Sequence, residues 1–109
     1  MTKWLTANWN AYSVYTMARL MVEPIGTNRA TSMTLQIIHD GRDIIDARVF
    51  VLAPPQAVQV PVDDEIQALY RRVFRDNEHP DDVAKDAEKW LETWAHANGF
   101  NVHRPRSPF

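Results

Sequence analysis

His39 and Asp40, with Asp43 and Asp46 just beyond them, are the residues of this 109-residue chain best suited to acid-base or metal chemistry. An imidazole beside two or three carboxylates can relay a proton or hold a divalent cation. The same stretch, centred on Asp40-Gly41, is also ordinary turn composition, and that reading is preferred because Asp46 is expected to face Gln36, away from His39. The other histidines add nothing to it. His79 precedes a proline, His96 follows Glu92 by four residues, His103 lies near the C-terminus, and no pair has the His-x-x-x-His spacing that puts two ligands on one helix face. Glycine occurs only at 26, 41 and 99, so there is no Gly-rich phosphate loop and no Gly-x-Ser-x-Gly nucleophile turn. Absence of cysteine removes thiol nucleophiles, disulfides and cysteine-zinc sites together. The chain is therefore read as a non-enzyme, with no catalytic residue, metal ligand or cofactor assigned.

Basic chemistry is concentrated at Arg71, Arg72 and Arg75, with Arg104 and Arg106 near the end of the chain. Guanidinium forks suit phosphate and carboxylate groups, so these five are the candidate anion or nucleic-acid contacts. The bland alternative is a solvated helix face. A formal net charge of −2 with 24% charged residues argues against a dedicated nucleic-acid binder. Acidic residues at 81, 82, 86, 88 and 92 alternate with Lys85 and Lys89, which favours a solvated helix face over a DNA-mimicking strip.

The elements that must position these groups follow from periodicity. Met33, Leu35 and Ile37 alternate with Thr34 and Gln36, and Ile45, Ala47, Val49 and Val51 repeat the pattern after Asp40-Gly41, which predicts a β-hairpin over 31–52. A three-residue loop, Asp40 to Arg42, sets Ile37 opposite Ile45, Leu35 opposite Ala47 and Met33 opposite Val49. A two-residue loop would pair Ile37 with Asp46 and is rejected. Residues 11–23 fit either a strand or a helix; the Ser-Val-Tyr-Thr run favours a strand, ended by Pro24 and Gly26. Pro54 and Pro55 form a connector, and Ala57–Val62 offers a short edge strand.

Asp63, Asp64 and Glu65 supply the cap and acidic first turn of a helix with the apolar stripe Ile66, Leu69, Tyr70, Val73 and Phe74. Pro80 opens a second helix with the stripe Val83, Ala87, Trp90, Leu91 and Trp94, closed by Gly99 at the left-handed position after its end. The expected fold is α+β: a three-stranded antiparallel meander followed by two α-helices packed on one face. It forms a single domain over 1–109, with residues 101–109 as an extended tail.

On this reading the hairpin is apolar on both sides. Tyr15, Met17, Met21, Ile38, Ile44, Phe50 and Leu52 share the face away from the helices, and sheets that are apolar on both faces are usually covered on both. With Trp4 and Trp9, which can tuck onto the core or anchor an interface, they are the candidate partner-binding residues. The expected partner is a protein, a second copy of the chain in the simplest case, with nucleic acid as the runner-up and a small His/Asp-dependent enzyme third. No apolar run is long enough to span a membrane and no signal-peptide core is evident, so the chain is expected to act in the cytoplasm.

In overall profile, the chain resembles small phage-encoded anti-defence proteins of the anti-CRISPR type: about a hundred residues, one domain, mildly acidic, cysteine-free and without a catalytic signature. That class shares no motif, so the resemblance transfers no residue. It implies an inhibitor that blocks a larger nucleoprotein complex by occupying its surface.

Overall fold

The computed structural model describes residues 12–103. Strand β1 spans Ser13–Pro24, β2 Thr31–Asp40, β3 Asp43–Val51 and β4 Gln56–Val60; helix α1 spans Asp64–Phe74, α2 Pro80–Ala97, and β5 Phe100–Val102 closes the order. The sheet is antiparallel with the strand order β4-β3-β2-β1-β5. Residues 11–23 thus take the strand alternative. The three-stranded meander is corrected to five strands, because both of its edges acquire a short partner.

At one edge the β3–β4 turn brings Gln56–Val60 back along β3 after the prolines, with a cis Ala53–Pro54 bond in the turn. At the other, Phe100–Val102 pairs with Val22–Pro24, so Asn101 and Val102 are strand rather than tail. The link starts at the end of α2, where Gly99 adopts φ +88°, a conformation open to glycine at little cost. Its carbonyl accepts from the Ile25 amide at 2.9 Å, and the His103 amide donates to the Met21 carbonyl at 2.7 Å.

Both helices begin where their caps dictate. The Asp63 carboxylate accepts from the Ile66 amide at 3.0 Å, and Asp64 and Glu65 complement the positive end of α1. Pro80 occupies the first turn of α2, where its missing N–H has no intrahelical partner to lose. α2 lies over β1, β2 and β5, and α1 packs against α2 and β3. Between helices and sheet sits one core, in which Val22, Met33, Leu35, Ile37, Ala47, Val49, Ile66, Val83, Ala87, Leu91 and Ala95 are fully or almost fully buried.

Two irregularities decide which residues reach this core. The β2–β3 turn has only Gly41 and Arg42 between the paired Asp40 and Asp43, the length rejected on pattern grounds. An extra residue in β3, Ile45, sits between the pairs Ile38–Asp46 and His39–Ile44 and restores the parity that the shorter loop breaks. Ile37 therefore lies opposite Ala47, Leu35 opposite Val49 and Met33 opposite Val51, two residues from the expected register. In β1 the extra residue is Met17, between Thr16–Gln36 and Ala18–Leu35.

Candidate functional site

The bulges redistribute the residues assigned to the uncovered face. Tyr15 pairs with the core residue Ile37 and its ring meets Phe74 edge-on at 4.9 Å, beneath α1. Met17 is 5% exposed within the core, and Ile44, opposite His39, packs against that core as well. These three placements are corrected: each bulge moves side chains on one flank to the opposite face. Ile38, Met21 and Phe50 remain on the side away from the helices, with Ile38 buried between its neighbours Val14 and Asp46. Met21 is 43% exposed, and Leu52 is 55% exposed in the turn that follows β3. Trp4, Trp9, Arg104 and Arg106 fall outside the described residues.

What crosses the middle of the face turned away from the helices is polar. Thr16, Gln36, Arg48 and Gln59 lie side by side across four strands. Arg48 Nε donates to Gln36 Oε1 at 2.8 Å, and Gln59 Nε2 donates to Asp46 Oδ1 at 2.9 Å. The apolar residues of this face are thus split by a hydrogen-bonded band that water can cover, and they do not form one continuous patch.

The His39 group does not assemble. The His39 ring packs against Phe74 and Tyr70, with centroids 4.8 and 5.6 Å away, and its buried Nδ1 has no hydrogen-bond partner among the described residues. Asp46 is turned to Gln59 and the Ala47 amide, while Asp43 approaches Arg75 at 3.9 Å. Among the described residues no three His, Asp or Glu side chains are grouped to hold a metal ion.

The arginines of α1 separate into two environments. Arg72 is held between carboxylates, with Nη1 2.6 Å from Asp86 and Nη2 3.1 Å from Glu78. These bonds raise the Arg72 pKa, the Glu78 bond most, and the Arg72 bond holds Asp86 below the ordinary carboxylate value. Arg71 and Arg75 point instead towards the β2–β3 turn, where with Arg42, Asp43 and Gln67 they line a polar cleft of about 230 Å³. Tyr70 ties this turn to the helix, its hydroxyl donating to the Gly41 carbonyl at 2.8 Å. Burial pushes the Tyr70 phenol above its usual value; Arg75 opposes the shift and Asp43 and Asp40 add to it.

An apolar concavity lies between the helices. Glu65, Ala68, Leu69 and Arg72 of α1 face Asp86, Lys89, Trp90, Thr93, Trp94 and Ala97 of α2 across a groove of about 620 Å³. Both rows follow the i, i+3, i+4, i+7 repeat, so each is one continuous stripe of its helix. The groove exists because Val83, Ala87, Leu91 and Ala95 turn α2 onto the sheet, which leaves Trp90 and Trp94 at the margin of that stripe, half-buried. Its charged rim balances, with Glu65 and Asp86 against Arg72 and Lys89. Both tryptophans do pack against the core, as the apolar stripe of α2 implies, but each keeps part of its ring exposed to the groove. The signal that could have shown this is their position, beside Ala87, Leu91 and Ala95, on the flank of a stripe that those smaller residues already complete.

Among the described residues no helix is long and apolar enough to cross a membrane. Comparison with protein-family models, with curated proteins and with solved structures gave no match.

Proposed function

We propose that the chain is a non-enzymatic protein-binding module that takes an amphipathic helix of its partner into the groove between α1 and α2. The observation that carries this reading is the pair of half-buried tryptophans, four residues apart, along a groove whose other wall is Ala68 and Leu69. Tryptophan anchors are over-represented among residues that dominate binding energy, and a channel between two helices accepts a third helix by its i, i+3, i+4 apolar row. The rim carries no net charge and its one guanidinium is already engaged by Glu78 and Asp86, which favours an apolar segment over a polyanion.

A phosphate-tracking surface on α1 is less well supported, since Arg72 is occupied and Arg71 and Arg75 turn to the β2–β3 turn and do not continue its row along the helix. Binding a partner in the cytoplasm, and there blocking a larger nucleoprotein complex, is the form of this function that the anti-defence resemblance suggests. A photo-crosslinking residue at Thr93 tests the site against one at Thr16 on the sheet face away from the helices. Adducts from Thr93 to a helical segment, lost in Trp90→Ala and Trp94→Ala variants that retain the wild-type melting curve, are expected. Adducts from Thr16 alone would overturn the groove as the docking site. Light scattering separates a foreign partner from a second copy: a dimer abolished by Trp94→Ala would make the partner this chain itself.

A further inference from the structure

We propose that the cleft between the β2–β3 turn and α1 binds a phosphate monoester, at a site independent of the interhelical groove. Gln67 and Arg71 of α1 and Arg75, its C-cap, recur every four residues along one face, and Arg42 enters from the turn opposite. The cleft is held in shape before any ligand arrives. Tyr70 donates to the Gly41 carbonyl at 2.8 Å and Arg75 Nη2 donates to the Arg42 carbonyl at 2.9 Å, so the turn is fastened to the helix on both sides of its apex.

Three guanidiniums line the cleft and one carboxylate, Asp43, opposes them. Two of the three are unspent: among the described residues the side chains of Arg42 and Arg71 make no hydrogen bond or ion pair, and Arg75 stands 3.9 Å from Asp43. A concentration of positive charge in a chain of net charge −2 calls for an anion. Among the lining side chains the surplus is two, with Asp40 acting on Tyr70 from just outside, and it matches the charge of about −1.5 to −2 on a phosphate monoester at neutral pH. A carboxylate or a single phosphodiester would leave part of it unmatched. The guanidinium fork binds such oxygens in pairs, and the Gln67 amide can donate one further hydrogen bond.

Isothermal titration of the full chain in low-salt buffer free of phosphate and sulfate tests the site, with inorganic phosphate, a sugar phosphate, a phosphoserine peptide and a single-stranded oligonucleotide without terminal phosphate as probes. Saturable binding of the monoesters is expected, and the tighter of sugar phosphate and phosphopeptide identifies the source of the group. Arg71→Gln and Arg42→Gln should each weaken it about tenfold, the loss of a charge-assisted hydrogen bond. Asp43→Asn should tighten it. Arg72→Gln should leave it unchanged, since that guanidinium faces Glu78 and Asp86. Binding should weaken as the pH falls below about 6, where the monoester gains its second proton. No binding of any monoester at millimolar concentration, an equal loss in Arg72→Gln, or an oligonucleotide that binds as tightly as the monoesters would overturn the proposal. Arg71 is exposed and makes no side-chain bond among the described residues, so its replacement leaves the fold intact and the measurement interpretable.

Discussion

The two faces of this sheet are made from the same strands and behave as different materials. Towards the helices, Met33, Leu35 and Ile37 of β2 are at most 1% exposed and are backed by Ala47 and Val49 of β3. Away from them, the intervening Gln36 joins Arg48 in a half-buried polar row. The difference shows that composition counted over the hairpin overstates what either face presents. Two single-residue bulges take Tyr15, Met17 and Ile44 to the helix side, and the face expected to be half apolar keeps a hydrogen-bonded band with Val14 and Ile38 on one side of it and Met21 and Phe50 on the other.

The sharpest test of that contrast is a pair of neighbours. Leu35→Ala should destabilise the chain by about 2–5 kcal/mol, the loss of a buried side chain plus the cavity it leaves. Gln36→Ala, one residue along, should cost less than about 1 kcal/mol, because water replaces its bond to Arg48. Urea denaturation reads both, and comparable losses would mean that the outer face is as closed as the inner.

A second pair compares the bulges. Deleting Ile45, which is 47% exposed, leaves the pairs Ile38–Asp46 and His39–Ile44 able to form and should preserve the circular dichroism spectrum with a modest drop in Tm. Deleting Met17 leaves its flanking pairs equally free but removes a buried side chain, so its melting temperature should fall further than that of the Ile45 deletion. If the Ile45 deletion unfolds the chain, the bulge does more than correct parity.

The smallest effect is electrostatic and lies in the helix layer. Asp86 is held below its usual value of 3.8, first by its hydrogen bond to Arg72. A carboxylate depressed in the folded state stabilises fully above 3.8 and loses that contribution as the pH falls through its folded value. Melting curves from pH 7 to pH 2 should therefore drop slightly less steeply on the acid side for Arg72→Gln than for the parent chain. An identical profile would mean that the exposed pair contributes nothing measurable, a common result for surface ion pairs.

The helices were readable from residues alone, because their information is local. Asp63 as a cap, Pro80 in a first turn, Gly99 after a last one and the stripe from Ile66 to Phe74 all act within a few residues of where they stand. The strand over Ser13–Pro24 was legible for a similar reason, its Ser-Val-Tyr-Thr run. β5 was not: its three residues carry no period, and they pair only because β1 offers a free edge beside the end of α2. The candidate sites followed the same division. The arginines of α1 could be named from composition, but that Arg72 turns to Glu78 and Asp86 while Arg42 arrives from a distant turn depends on the packing of α1.

The order of residues by itself determined two capped helices, a hairpin, the residues available for the core and the absence of cysteine chemistry, since each rests on local spacing or on composition. Only the tertiary structure decided the hairpin register, the side of the sheet on which Tyr15, Met17 and Ile44 lie, and the opening of Trp90 and Trp94 into a groove. One inserted residue inverts the facing of every side chain beyond it. Whether it is inserted is settled by the whole core closing on Leu35 and Ile37, a cooperative outcome that no local window of the chain contains.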